Sequence, residues 1–402
     1  MDTTVTLDAA KTTNALKQLQ QFGQSIWLDY IRRNLLVSGE LRRMIEEDGL
    51  AGMTSNPSIF EKSIEAGHDY DDLLKSLESR QDLDAKGRYE ILAVRDIQDA
   101  ADLLLPVYQA TKGRDGYVSL EVSPVLANDT EGTLEEARRL WKTVNRENLM
   151  VKVPGTAAGI PAFQQLISEG ININVTLLFS QQVYEKVAEA YIAGLEQLAA
   201  RGGDVSRMAS VASFFISRID SAVDKVVAER LKTAKDDAEK QELESILGKV
   251  AVANGKQTYQ RYLKIFGSDR WKKLAARGAQ TQRVLWASTS TKNPKYSDIL
   301  YVEDLIGKDT VNTVPPATLD AFRNHGRPRA SLTEDVEGAN RVMETVKKLG
   351  ISMEKITDDL TIDGVKQFDD AFKKLLEAVA RNTQEGSNEN PAAANEAKKG
   401  TE

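Results

Sequence analysis

A lysine and two carboxylates, each interrupting a short apolar run, are the residues of this chain with the most chemistry in them. In Asn148–Thr156, NLMVKVPGT, a single lysine, Lys152, breaks an apolar run that stops at Pro154-Gly155. Leu149, Val151 and Val153 share one face of an extended segment, and Met150 and Lys152 share the other. Such a lysine either reaches water at a sheet edge or sits in a pocket. In a pocket, desolvation favours the neutral amine that a Schiff base requires. The same phase recurs elsewhere. Asp29 in SIWLDYI opposes Ile26, Leu28 and Tyr30; Thr54 and Asn56 in LAGMTSN oppose Met53. Ser119 and Glu121 oppose Leu120 and Val122, while Asn172, Asn174 and Thr176 oppose Ile171, Ile173, Val175 and Leu177. Singly, each has a plain structural explanation: a strand end, a turn before proline, an edge strand. Together they place polar groups near the same end of five segments, where burial is costly unless the groups serve one another or a ligand. One lysine with two carboxylates in such a set has the make-up of a reaction site.

The inventory narrows the chemistry. A neutral lysine amine attacks a ketone, and the resulting iminium is an electron sink that permits cleavage of the adjacent C–C bond. Making and breaking the carbinolamine needs a proton shuttle, a task suited to Glu121 with Thr176 and a water. Asp29 is the remaining carboxylate, available as base for the hydroxyl of the leaving fragment. Asn56, Asn174 and Ser213 are suited to hydrogen-bonding the hydroxyls of a retained sugar fragment. A phosphate is expected further round, at Arg218 in SFFISR and at Ser288 and Lys292 in WASTSTK. For the two cations the alternatives are a helix-start surface arginine and a plain surface lysine.

Composition removes competing chemistries. The 402 residues include no cysteine, which excludes disulfides, thiolate nucleophiles and cysteine zinc sites. Only His68 and His325 supply imidazoles, both in polar, turn-like surroundings, so neither a Ser-His-Asp mechanism nor a histidine-rich metal site is expected. No metal and no cofactor are expected. The net charge of −7 gives no nucleic-acid or membrane footprint, so an anionic substrate needs a local basic cluster. Without a membrane-spanning stretch or a signal-like start, a cytoplasmic enzyme is expected.

These side chains need strands to carry them. Eight short apolar segments are each followed by helical sequence: Ser25–Ile31, Leu50–Phe60, Tyr117–Pro124, Asn148–Thr156, Gly170–Ser180, Met208–Arg218, Arg283–Pro294 and Asp309–Pro315. Helical spacing covers residues 7–22, Lys62–Lys112, Thr133–Asn145, Gly159–Ser168, Gln181–Arg201, a long excursion Ile219–Ala279, Glu334–Leu349 and Gly364–Arg381. Strands alternating with helices imply a parallel sheet with right-handed crossovers, and eight units imply a closed (β/α)8 TIM barrel. It would carry extra N- and C-terminal helices and a long helical insertion after the sixth strand. An open doubly wound sheet is disfavoured because neither a Gly-rich turn after the first strand nor a phosphate-loop motif is present. Residues 1–382 are expected to form a single barrel domain. Residues 383–402, with almost nothing to bury, are expected to be a disordered tail.

The motifs SIWLD, GMTSNPSIF, VSLEVSP, LMVKVPGT, NINVTLLFS, ASFFISRID and LWASTSTKNP, in this order, resemble those of the transaldolases, over roughly residues 10–382. The form is similar to the longer bacterial branch. The resemblance implies a class I Schiff-base barrel of the pentose phosphate pathway. Such an enzyme moves a dihydroxyacetone unit between sedoheptulose 7-phosphate and glyceraldehyde 3-phosphate, giving erythrose 4-phosphate and fructose 6-phosphate. By motif it implies Lys152 as the Schiff-base lysine, Asp29 as acid/base for C–C cleavage, and Glu121 with Thr176 as a water-mediated proton relay. Asn56, Asn174 and Ser213 would touch the dihydroxyacetone moiety and Arg218 the phosphate. Partners would be small-molecule sugar phosphates, the protein a monomer or homodimer. The alternatives are an aldolase that releases free dihydroxyacetone and a non-catalytic sugar-phosphate-binding barrel. Two departures stand out. Shorter members have S-P-F-x-G-R where this chain has Ser213 to Arg218. They also carry an arginine where this chain has Ser290, leaving Lys292 to act as a point charge rather than a bidentate fork.

Overall fold

The computed structural model describes residues 14–65, 69–77 and 79–388, with side chains to residue 381; His68 lies outside them. Each of the eight apolar segments forms a strand: β1 (Gln24–Asp29), β2 (Gly52–Thr54), β3 (Tyr117–Glu121), β4 (Leu149–Pro154), β5 (Ile173–Leu178), β6 (Ser210–Phe215), β7 (Arg283–Ala287) and β8 (Thr310–Val314). They pair in sequence order, all parallel, and β8 closes on β1. The (β/α)8 barrel expected from the alternation is therefore the fold. One side of each strand faces the helices, as with Ile26 and Leu28 or Val151 and Val153, all fully buried. The other faces the lumen.

At the N-terminal end that lumen is plugged by a buried polar cluster. Arg283 donates to Asp115 Oδ1 at 2.9 Å, to Ser25 Oγ at 2.7 Å and to the Arg114 carbonyl at 2.7 Å. Trp27 Nε1 and Ser25 Oγ also donate to the Asp115 carboxylate, at 2.9 and 2.5 Å. Gly52 lies flat against the Trp27 indole, where an added Cβ would stand 2.5 Å from the ring. Only glycine fits at that level of the barrel.

Several helices differ from their sequence-based bounds. The single helical region expected over Lys62–Lys112 is three helices: Pro57–Glu65, Asp71–Leu77 and Ala85–Ala110. The third starts where the Asp84 side chain caps the Gly87 amide. Residues 7–13 are outside the description, and the remainder of the first helical stretch is a short helix, Ala15–Gln18, then a 3₁₀ turn ended by Gly23 at φ +75°. The long excursion is a run of helices, Ser217–Leu231, Asp237–Ser245, Val250–Phe266 and Asp269–Ala275. The final helix is Met353–Asn388 rather than Gly364–Arg381. Gly364 marks not its start but a close approach, since an added Cβ there would lie 2.9 Å from Leu177. The helix backbone runs into the segment expected to be a tail, and residues 389–402 lie outside the description. Among the described residues no helix is long and apolar enough to cross a membrane.

Candidate active site

Parallel pairing puts Lys152 of β4 beside Glu121 of β3 on one side and Asn174 of β5 on the other, and pairs Asp29 with Thr54 across β1 and β2. The polar residues that share a phase in the sequence thus share a level at the C-terminal end of the barrel. Lys152 Nζ is 3.3 Å from Glu121 Oε2, and the two side chains are 5% and 6% exposed. The ion pair lacks the alignment of a directed hydrogen bond, so Oε2 accepts none among the described residues. The ammonium donates instead to the Ser55 carbonyl at 3.0 Å and lies 5.6 Å from the centre of the Phe368 ring.

Burial pushes both carboxyls above their ordinary range. For Glu121 desolvation dominates, opposed by Lys152 and reinforced by Asp29. For Asp29 desolvation again dominates, opposed by Lys152, by a hydrogen bond from Thr54 and by Lys292. Thr54 Oγ1 donates to Asp29 Oδ1 at 2.7 Å and is 2.7 Å from Thr313 Oγ1 on β8. The site therefore holds two buried carboxyl groups whose acidity desolvation weakens, both in electrostatic contact with one lysine.

The amides divide their tasks. Asn56 Oδ1 accepts from the Ile59 amide at 3.1 Å, capping the helix that starts at Pro57, while Asn56 itself lines the cavity. Its turn role and its place in the cavity wall coexist. Asn174 is fully buried: it donates to Ser119 Oγ at 3.0 Å and accepts from Ser213 Oγ at 2.6 Å. Ser213 lines the cavity and Asn174 holds it there. Thr176 also lines it, and its buried Oγ1 has no hydrogen-bond partner among the described residues, leaving it free for a water or substrate oxygen. The alternation expected along β5 breaks immediately after Thr176. Leu177 adopts φ +60°, and the register with β6 shifts between Val175 and Leu178. Leu177 therefore does not continue the apolar phase; it turns toward the final helix near Gly364.

The cavity, about 450 Å³, reaches from Lys152 to a basic end. Arg218, in the first turn of Ser217–Leu231, lies 5.4 Å from the Phe215 ring and makes no hydrogen bond or ion pair among the described residues. Desolvation holds its guanidinium below the usual arginine range, with Asp363 partly offsetting. Lys292 donates to Ser290 Oγ at 2.7 Å. Its ammonium is held below the usual lysine range by partial desolvation, then by repulsion from Arg218 and Lys62. Ser288, at φ +54°, lines this end and sits 3.0 Å from Ser217 Oγ. Lys292, repelled by both Arg218 and Lys62, marks a concentration of positive charge along one wall of the cavity. Among the described residues no cluster of three or more metal-ligating side chains occurs, and His325 is an exposed partner of Asp298 that does not line this cavity.

Of the ten residues singled out from the sequence, Asp29, Asn56, Lys152, Thr176, Ser213, Arg218, Ser288 and Lys292 line this cavity, while Asn174 and Glu121 adjoin it through Ser213 and Lys152. Lys62, Thr313, Phe368 and the Ser55 carbonyl carried no signal, because each reaches the site from a loop, a late strand or a helix whose place only closure of the barrel decides. Thr54 and Ser119 were in phase with Asn56 and Glu121, and that phase was their signal.

The family model described as "Transaldolase/Fructose-6-phosphate aldolase" matches residues 26–379. The chain is 48% identical to a transaldolase of Trichodesmium erythraeum over 370 residues, 91% of this chain and 97% of that one. It is 48% identical to a transaldolase of Thiobacillus denitrificans over 366 residues, covering 91% and 99% of the two. A Neisseria gonorrhoeae transaldolase is 45% identical over 361 residues, 90% and 98%. With the family match running from the first strand into the last helix, this chain belongs to the transaldolase/fructose-6-phosphate aldolase family.

Proposed function

We propose that this chain is a transaldolase that carries a dihydroxyacetone unit on Lys152. The observation that bears most weight is the buried Lys152–Glu121 pair at 3.3 Å, whose lysine lines the same cavity as Asp29. Proton transfer to Glu121 leaves Lys152 with a lone pair to attack a ketone carbonyl. The carbinolamine then loses water, its proton moving through Glu121 and a water held by the Thr176 hydroxyl. In the iminium, Asp29 removes the proton from the hydroxyl next to the scissile C–C bond. That bond breaks, its electron pair passing into the iminium to give an enamine, and an aldose phosphate leaves. An acceptor aldose phosphate enters, the enamine carbon attacks its aldehyde, Asp29 returns the proton, and water releases the new ketose phosphate.

Asn56 and Ser213, the latter held by Asn174, meet the hydroxyls of the retained three-carbon unit. Arg218, Lys292 and Lys62, with Ser288 and Ser290, hold the phosphate at the positive end of Ser217–Leu231. Lys62 adds charge where the second arginine of the shorter members is absent. Donors and acceptors are sedoheptulose 7-phosphate with glyceraldehyde 3-phosphate, and fructose 6-phosphate with erythrose 4-phosphate, metabolites of the cytoplasmic pentose phosphate pathway. That full-length relatives carry the name transaldolase favours transfer over release. The test is glyceraldehyde 3-phosphate formation from fructose 6-phosphate with and without erythrose 4-phosphate. Strong dependence on the acceptor is expected. Equal rates would make the chain an aldolase, and no turnover would make it a binding barrel.

A further inference from the structure

The final helix, Met353–Asn388, crosses the mouth of the barrel and brings one buried ring to the reacting amine. Phe368 is 7% exposed, lines the cavity, and has its ring centre 5.6 Å from Lys152 Nζ. No other aromatic ring lies over this amine among the described residues. The helix is held at this height by two contacts outside the cavity. One turn further on, Phe372 packs edge-to-face on Tyr89 at 5.8 Å, and Tyr89 packs edge-to-face on Phe60 at 5.6 Å, tying the helix to the one that follows β2. One turn earlier, Gly364 lets the helix descend onto Leu177, whose left-handed backbone directs it there directly after Thr176. A left-handed non-glycine residue beside a bulge, met by a helical glycine, is an expensive arrangement unless the seating of that helix matters.

We propose that Phe368 is a specificity-determining residue that keeps water from the lysine-bound enamine and so makes the enzyme a transferase rather than an aldolase. The inference rests on the Schiff-base reading above. After the aldose phosphate departs, the enamine carbon has two fates. It attacks the aldehyde carbon of an acceptor: a C–C bond forms, the aldehyde oxygen takes the proton held by Asp29, and the iminium is hydrolysed to free amine and ketose. Or it takes a proton from water: a C–H bond forms, the hydroxide left behind takes the proton held by Asp29, the resulting iminium is hydrolysed by a second water, and dihydroxyacetone leaves. The net leak is fructose 6-phosphate giving dihydroxyacetone and glyceraldehyde 3-phosphate, balanced without any further reactant. A ring packed over the nitrogen excludes water from the first coordination of the enamine while leaving the basic end of the cavity open to an acceptor.

The experiment measures dihydroxyacetone released per transfer event from fructose 6-phosphate with erythrose 4-phosphate, in deuterated water, with deuterium at the released carbon marking enamine protonation. Phe368→Ala should raise the release-to-transfer ratio by about tenfold or more, and Phe368→Leu, which keeps an apolar cover, should stay near the parent ratio. Phe368→Gln, which fills similar length with a polar group, should raise it too and serves if the alanine variant does not fold. An unchanged ratio in the alanine and glutamine variants, with transfer still measurable, would overturn the proposal. Borohydride trapping on Lys152, run on each variant, separates this failure from failure of the Schiff-base reading itself.

Discussion

Asp29 depends on Thr54. The hydroxyl donates to Oδ1 at 2.7 Å and thereby restores part of the acidity that burial has weakened. Replacing Thr54 by valine keeps the shape and removes the donor. The carboxylate loses stabilisation, its pKa rises further, and the acid limb of the kcat/KM profile should move to higher pH. A charged hydrogen bond is worth about 1.5–3 kcal/mol, or roughly one to two pH units. A limb that stays in place, or moves to lower pH, would separate Asp29 from the protonation that controls turnover. At this scale the sequence was informative where polar residues kept the strand phase, as Lys152, Glu121, Asp29 and Thr176 do. It was silent on Lys62 and Phe368, which sit on helices whose outward spacing looks like that of any other helix. Asn174 was legible as a site residue, but its support of Ser213 from below appears only once β5 and β6 are paired.

At the scale of elements, the helix bearing Arg218 is fixed to the segment that follows Lys292 by two carboxylate–tyrosine pairs. Tyr301 donates to Asp220 Oδ2 at 2.8 Å and Tyr296 to Asp224 Oδ2 at 2.6 Å, while the amides of Ala251 and Gly248 donate to the other oxygens. These ties set the spacing of the cations at the basic end. Burial pushes the Asp220 carboxyl up to about 6 from 3.8, against the opposing hydrogen bonds from Ala251 and Tyr301. A carboxyl with a folded pKa above its unfolded value contributes stability that is present below about pH 4 and lost as pH rises through 6. Asn at this position does not titrate. The stability of Asp220→Asn relative to the parent should therefore rise between pH 4 and pH 7, by up to about 3 kcal/mol, in paired denaturation curves. A difference that is flat or falls over this window would contradict the assignment. The strand–helix alternation made these elements visible, but Gly364 was read as a boundary because a mid-helix glycine has no local justification. Its reason is tertiary: the approach to Leu177.

For the whole molecule, the barrel divides stability and chemistry between its two ends. The N-terminal plug joins β1, β7 and the turn before β3 through Arg283 and Asp115, which are 5% and 11% exposed in their side chains. Arg283→Met would leave Asp115 buried without its counter-charge, at a cost of about 3–5 kcal/mol in denaturant unfolding. A loss below 1 kcal/mol would show that the plug is not a structural keystone. Nothing in the sequence distinguished Arg283 from a strand-start arginine, since its partners lie far away in the chain and meet only when the strands close. The barrel itself was legible because eight apolar segments alternate with helices, whereas the cover over the site was not, because a helix seen alone does not reveal where it lands. The central claim concerns Lys152, and borohydride reduction in the presence of fructose 6-phosphate followed by peptide mass spectrometry tests it directly. The account predicts one reduced substrate-derived adduct, on the peptide containing Lys152, and none in a folded Lys152→Ala variant. No adduct, or an adduct on another lysine, would contradict it.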